Sequence, residues 1–423
     1  MTARADNTRL AAPLTGTARV PAMDALRGLA LLGILLMNLE GMAGPPATMA
    51  SGVDPALRGL DHWVDAAIYV LVQGKFIALF SLLFGAGFAV MQARAEREGW
   101  ALGPVWLRRC AGLLGIGLAH ALLVWSGDIL VTYALCGFAL LAFGEVLGGL
   151  LAWIGVLLFL APAGLSLAVG MAHPWLSGDP AWQPAVQAQA AHVQSLAAMQ
   201  VRVYGHGGYL TAVAQRLRDF VQTLQALPLN GLQVFGLFLV GAWLHRVVAR
   251  PADYRRALAW MRYGALPLGL AMMGLSVMLS PWLDPGRTDP GVFLAAALAS
   301  AAALPCCLGY IGWCMAGFAV RPTRLATWLA AAGRLALSNY LLQSLVCTWV
   351  FYGAGLGMFG LARRWQLPFA VALFGMQLLA SRWWARRGWP GPAEWLLRRI
   401  TYGAAGLRQA GWPARRPDAR KTP

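Results

Sequence analysis

Stretches of about 20 consecutive apolar residues recur along the whole 423-residue chain. A helix rises about 1.5 Å per residue, so a run of that length crosses the hydrocarbon core of a bilayer. Ten spans are read, at 23–41, 68–92, 105–125, 129–144, 147–171, 229–248, 258–281, 291–319, 334–352 and 366–386. The second also admits a surface helix at 62–73 followed by a span. Composition agrees, since only 12% of residues are charged, where a soluble domain carries about a quarter. The expected fold is all-α, a polytopic transmembrane helix bundle.

A net charge of +17 raises the question of nucleic acid. The charges, however, are nearly all arginines lying between apolar runs, as the positive-inside rule requires. With the N-terminus placed in the cytoplasm, cytoplasmic segments hold 25 of the 34 Lys and Arg, outer segments hold 8, and Arg27 lies within the first span. Both termini are therefore expected inside, in the inner membrane of a bacterium, with membrane lipid as a partner and no nucleic acid. The division expected is a cytoplasmic segment 1–21, a five-helix half at 22–171, an outer helical insertion at 172–228, a second five-helix half at 229–387, and an interfacial helix with a basic tail at 388–423. A cleavable leader ending near Ala47–Ser51 is disfavoured by the charges inside the first run.

The insertion is far longer than an ordinary connection. Its helical periodicity breaks at "GHGG" (Gly205–Gly208), which predicts two amphipathic helices on the outer face. His173, His192 and His206 lack metal-ligand spacing, and the six cysteines all lie in apolar runs, so no metal site or disulfide framework is expected. In "SRWWARRGWPGPAEWLLRRITYG" (Ser381–Gly403), Trp and Arg alternate as at a membrane interface, and a short helix is expected at about 391–402.

Polar groups inside apolar helices carry the functional reading, because a charge at bilayer depth is expensive. In "MDALRGLALLGILLMN" (Met23–Asn38), Asp24 and Arg27 lie one turn apart, and Asn38 returns to their face eleven residues later. Asn38 should lie about 16 Å beyond Arg27. In the third span Arg109 and His120 are again eleven apart, and Asp128 follows at a "SGD" turn, where it suits either an N-cap or a partner for His120. Lys75 falls at the outer end of the second span and is otherwise a snorkelling anchor. The ninth span contains Arg334, Asn339 and Gln343, which suit cavity lining or plain interhelical hydrogen bonding. Two layers result: an inner one of Arg27, Arg109 and Arg334, and an outer one of Asn38, Lys75, His120 and Asp128.

Five ordered blocks resemble the YeiB family of bacterial inner-membrane proteins, which carry a C-terminal domain of unknown function. They are "MDALRGLALLGILLMN", "GKFIALFSLLFGAGFAV", "GLAHALLVWSGDILVTYAL", "GRLALSNYLLQSLVCT" and "GPAEWLLRRITYG", spread over about 20–403. The first helix also resembles that of membrane acyltransferases. The acyltransferase-three family has a histidine where Asn38 stands, while the heparan-glucosaminide acetyltransferase family has asparagine there and a histidine before its second span, near His62 here. The expectation is a transmembrane acyltransferase with no tightly bound cofactor. Its donor is acyl-CoA or a similar molecule, held by Asp24, Arg27, Arg109, Arg334, Asn339 and Gln343. His120, oriented by Asp128, is the base or acyl carrier, and Asn38 and Lys75 stabilise an oxyanion. The acceptor is periplasmic or lipid-linked. The alternatives are a transporter of a small anionic metabolite and a non-catalytic membrane partner; a homodimer is compatible with each.

Overall fold

The computed structural model describes residues 21–49, 51–144, 148–248, 251–320 and 323–409. The N-terminal segment before Pro21, the joint between the fourth and fifth spans at 145–147 and the basic tail after Gln409 lie outside the described residues. Among the described residues the fold is helical, apart from one isolated antiparallel bridge between Gly52 and Trp282.

The chain runs through α1 (Pro21–Ala43), α2 (Gly59–Leu71), α3 (Lys75–Glu98), α4 (Leu102–Leu123) and α5 (Leu130–Leu140, extended by a 3-10 turn to Phe143). It continues through α6 (Gly148–Leu176), α7 (Trp182–His206), α8 (Tyr209–Val248) and α9 (Pro251–Trp260), which a π turn at Met261–Ala265 joins to α10 (Leu266–Leu279). The last five helices are α11 (Pro290–Val320), α12 (Arg324–Arg334), α13 (Ala336–Phe351), α14 (Arg363–Arg386) and α15 (Pro392–Gln409).

Six stretches are long and apolar enough to cross a membrane: α1, the joined α2–α3, α6, α8, the joined α9–α10, and α11. The other four expected spans correspond to α4, α5, α13 and α14, of which α5 and α13 are short. Large apolar side chains face outward as well as inward. On α6, Trp153 and Leu157 are 69% and 66% exposed, as lipid-facing residues are and core residues of a soluble protein are not.

Three breaks depart from simple spans. The second run divides between α2 and α3, as the subdivided reading expects, at Gly74, whose φ of +75° is disfavoured for any residue with a Cβ. The ninth run, expected from 334, starts as α13 just after a break at Leu335, and the cytoplasmic segment before it forms the additional helix α12. Outside the spans, the insertion breaks at Gly207–Gly208 as its pattern predicts, but its second helix is not separate from the sixth span. α8 runs for 40 residues, past Pro228, as one helix.

α1 lies at the centre. It packs along α12, α13 and α14 on one side and α3 on the other, so the two halves of the chain interleave. The approach to α12 is backbone to backbone. A Cβ on Gly28 would overlap the Leu329 carbonyl oxygen, and one on Gly333 would overlap that of Asp24. Small residues at such a crossing supply the van der Waals packing that holds helices together in lipid. α8 lies along α3 and α6, and α11 along α10.

Candidate functional site

The α1–α12 crossing fixes the N-terminal end of α1 beside the C-terminal end of α12, and a cavity of about 340 Å³ opens there. Its mouth is cationic. Arg27, Arg109 and Arg334, the inner arginine layer, all line it, together with Arg94 and Arg398. Arg27 donates to Asp24 Oδ1 at 2.8 Å, which fixes one guanidinium on the rim. Arg94 is held in the same way by Glu98 at 2.8 Å, and that hydrogen bond holds the Glu98 carboxyl below its ordinary range. Away from the mouth the lining is apolar and aromatic, with Leu31, Ile34, Phe84, Ile129, Tyr133 and Tyr340.

One acid reaches the mouth from the tail. Glu394 on α15 accepts from the backbone N–H of Leu337 (2.7 Å) and Ser338 (3.1 Å) and from the Ser338 hydroxyl (2.5 Å). It thus caps the free N–H groups created by the break at Leu335, where the helix dipole favours a carboxylate. Sequence reasoning missed Arg94, Arg398 and Glu394. The available signal was Glu394 as the sole acid in an otherwise basic amphipathic helix.

Behind the aromatic end lies the His120–Asp128 pair. His120 Nδ1 and Asp128 Oδ1 are 2.8 Å apart, and both side chains are almost wholly buried. Asp128 Oδ2 accepts from the Val131 backbone N–H at 2.9 Å, so the carboxylate caps α5 and faces the imidazole at once. Both readings of Asp128 hold together. With Asp128 on Nδ1, this nitrogen is assigned the proton, and Nε2 is the acceptor. Nε2 is buried with no hydrogen-bond partner among the described residues. Tyr340 links pair and cavity: it lines the cavity, its ring is 5.2 Å from that of His120, and its hydroxyl donates to Asp128 Oδ1 at 3.5 Å.

The outer layer is not assembled as expected. Lys75 is buried elsewhere, with Nζ donating to the Tyr69 carbonyl at 3.0 Å and touching Met273 Sδ at 3.3 Å. The break at Gly74 makes it the first residue of α3, where it binds a carbonyl of the last turn of α2. Asn38 is buried on α1 but has no hydrogen bond to His120 or Asp128 among the described residues. Asn339 and Gln343 do not line the cavity. Gln343 donates to Gln377 Oε1 (2.8 Å), Gln377 donates to the Asn339 carbonyl (2.9 Å), and Asn339 donates to Ser381 (3.0 Å). They form a seam between α13 and α14, because the helix turns about 100° between Asn339 and Tyr340 and only the latter faces the cavity. His62 stands on α2 with its ring against Trp63, away from the cavity lining.

At the far end of α1, Arg363 bridges Glu40 (3.0 Å) and Asp65 (2.6 Å), tying α1, α2 and α14 together. Nothing in the spacing of these residues signalled the contact, since each lies on a different helix.

Residues 242–404, which include α12, α13, α14 and most of α15, match the family described as "Protein of unknown function (DUF418)". The chain is 32% identical over 412 residues to the uncharacterized protein YxaH of Bacillus subtilis, covering 92% of this chain and 96% of the relative. The chain belongs to the YeiB-like DUF418 family. It is 31% identical over 398 residues to the uncharacterized protein YeiB of Escherichia coli, covering 91% of this chain and 96% of that one. A 39.9 kDa protein of Bacillus acidopullulyticus shares 26% identity over 394 residues, covering 92% of this chain and 96% of its own length. No solved structure matches the chain significantly. The similarity to these relatives thus extends over most of the chain, well beyond the C-terminal match.

Proposed function

We propose that the protein is a multi-pass acyltransferase of the bacterial inner membrane, taking an acyl group from a cytoplasmic acyl-CoA-like donor to an acceptor on the outer face. The observation that carries this is one alignment: a mouth with five arginines, an apolar throat, and Tyr340 standing between the throat and the buried His120–Asp128 pair. A CoA thioester has this polarity. Its phosphates suit guanidinium groups, and its pantetheine arm suits an uncharged throat. Arg109 and His120 are eleven residues apart on one helix, about 16 Å at 1.5 Å per residue, a length comparable to the extended arm. The positive-inside bias supports a cytoplasmic mouth.

In the reaction Asp128 holds the imidazole with Nδ1–H toward it, and the lone pair of Nε2 takes the proton of the acceptor O–H or N–H. The acceptor heteroatom attacks the acyl carbonyl, the carbon–sulfur bond breaks, and the departing thiolate takes the proton from Nε2. Tyr340 separates His120 from the cavity and must turn aside for the carbonyl to reach it. Transport of a small anion has less support, because the throat is apolar and the polar groups of α13 and α14 satisfy one another.

Calorimetry with acetyl-CoA on detergent-purified protein tests the donor site. Removing a guanidinium–phosphate contact costs about 1.5–3 kcal/mol, so Arg27→Ala and Arg109→Ala should each bind about 10-fold more weakly or worse. Unchanged binding in both variants would remove the donor site.

A further inference from the structure

On the side of His120 remote from the mouth, the α4–α5 connection passes beneath α7 and α8. The backbone N–H groups of Val124 and Trp125 both donate to the His120 carbonyl, closing α4 directly after His120. Ser126 then donates to Asp219 Oδ2 on α8 at 3.4 Å. Asp219 is the hub of a buried polar group, accepting from Tyr204 (2.5 Å) and Gln215 (2.8 Å). Burial, followed by the neighbouring Tyr352 and Asp219, raises the Tyr204 hydroxyl well above its ordinary value, so it remains a donor. Arg216, the next residue, donates to the Leu123 carbonyl at 2.9 Å and lies 5.5 Å from the ring of Tyr352, which in turn stacks on Tyr204 at 4.7 Å.

Four polar atoms of this cluster have no hydrogen-bond partner among the described residues: Trp125 Nε1, Gln215 Oε1, Arg216 Nε and the Tyr352 hydroxyl. Their side chains are at most 3% exposed. Buried polar groups are ordinarily satisfied, and four orphans in one cluster call for a partner. Their kinds define it. Two are donors only, one is an acceptor only, and the tyrosine hydroxyl is either. A carboxylate or phosphate has nothing to give Gln215 Oε1 and would face Asp219. An ammonium has nothing to accept from Trp125 or Arg216. A hydroxyl both gives and accepts, and the opposite charges of Arg216 and Asp219 leave the cluster neutral.

We infer that the Trp125–Gln215–Arg216–Tyr352 cluster is the acceptor subsite and takes a neutral molecule bearing several adjacent hydroxyls. The inference rests on the acyl-transfer reading for the word acceptor, but the binding does not depend on transfer. The cluster lies beside the joint of α7 and α8 at Gly207–Gly208.

Saturation-transfer NMR on the full chain in nanodiscs tests this, with glycerol, sorbitol and methyl glucoside as neutral probes and gluconate and glucamine as charged analogues of sorbitol. At least one neutral probe should bind, both charged analogues should bind at least fivefold more weakly than sorbitol if sorbitol binds, and Gln215→Leu and Trp125→Phe should each lose at least fivefold in affinity. Melting curves identify a variant that fails to fold, and hydrogen exchange over 205–219 in the wild type, slowed by the bound probe, gives a second measure. No neutral binding, equal binding of the charged analogues, or full binding by both folded variants would overturn the subsite. Arg27→Ala, at the opposite mouth, should keep polyol binding. Failure of acetyl-CoA to bind, with polyol binding intact, would therefore sink the donor reading and leave the subsite standing.

Discussion

At the scale of single residues, His120 is where structural and chemical roles separate most cleanly. A packing histidine would have both ring nitrogens occupied. Here Nδ1 is held by Asp128, and Nε2 has no partner among the described residues. His120→Gln retains a side-chain amide able to donate to Asp128 at similar reach, so the melting temperature should hardly change. The amide neither titrates near neutrality nor serves as a base, so acyl transfer should fall by about two to four orders of magnitude. The measurement is transfer of radiolabelled acetyl from acetyl-CoA into membrane acceptors, beside a melting curve. Full activity in the variant would return the histidine to a packing role. The pair was legible in the sequence because His120 repeats the eleven-residue interval of Arg27 and Asn38, and Asp128 follows at a turn. Tyr340 was not legible. It sits among Asn339 and Gln343 in the chain, and only the rotation of α13 shows that it faces the other way.

At the scale of helices, the spans were legible because hydrophobic length is imposed by the bilayer, whatever the packing partners. The glycine breaks near Gly74 and at Gly207–Gly208 were legible as well, but the helix α12 before the ninth span was not, and the break at Leu335 that separates it from α13 is stabilised from a distance, by Glu394 on α15. The crossing of α1 and α12 depends equally on partners far apart in the chain. Its strength can be measured with one substitution in two settings. Gly115 on α4 has open space around a would-be Cβ, whereas Gly333 faces the backbone of α1. Gly115→Ala should stabilise the protein by about 0.5–1 kcal/mol, the helix-propensity gain. Gly333→Ala gains the same propensity but forces two backbones apart, and overpacking of this kind costs about 1–3 kcal/mol or more. Thermal unfolding in one detergent should therefore shift upward for the first and downward for the second. Two upward shifts would mean that the crossing is not tight.

At the scale of the molecule, the two ends of the bundle carry different chemistry, and the proposed direction of transfer depends on which end faces the cytoplasm. The end with the N-terminus of α1 holds the arginines and the open mouth. The other end holds the Glu40–Arg363–Asp65 bridge and the α7–α8 pair over His120. Arginine between spans resists translocation, so the arginine-rich end should remain inside. α7 tests this well, because it is largely exposed and Ser195 lies on its solvent side. In a Gram-negative host, a reporter fused to the C-terminus should read cytoplasmic, and one inserted at Ser195 should read periplasmic. The inverted pair would put the mouth outside, where acyl-CoA is not available, and would exclude the donor whatever its affinity in detergent. Two readings on the same side would require an odd number of crossings between Ser195 and the C-terminus to become even. One of the helices α8 to α14 now taken as crossing would then have to lie along the membrane surface instead, and the short α13, with 16 residues, is the first candidate.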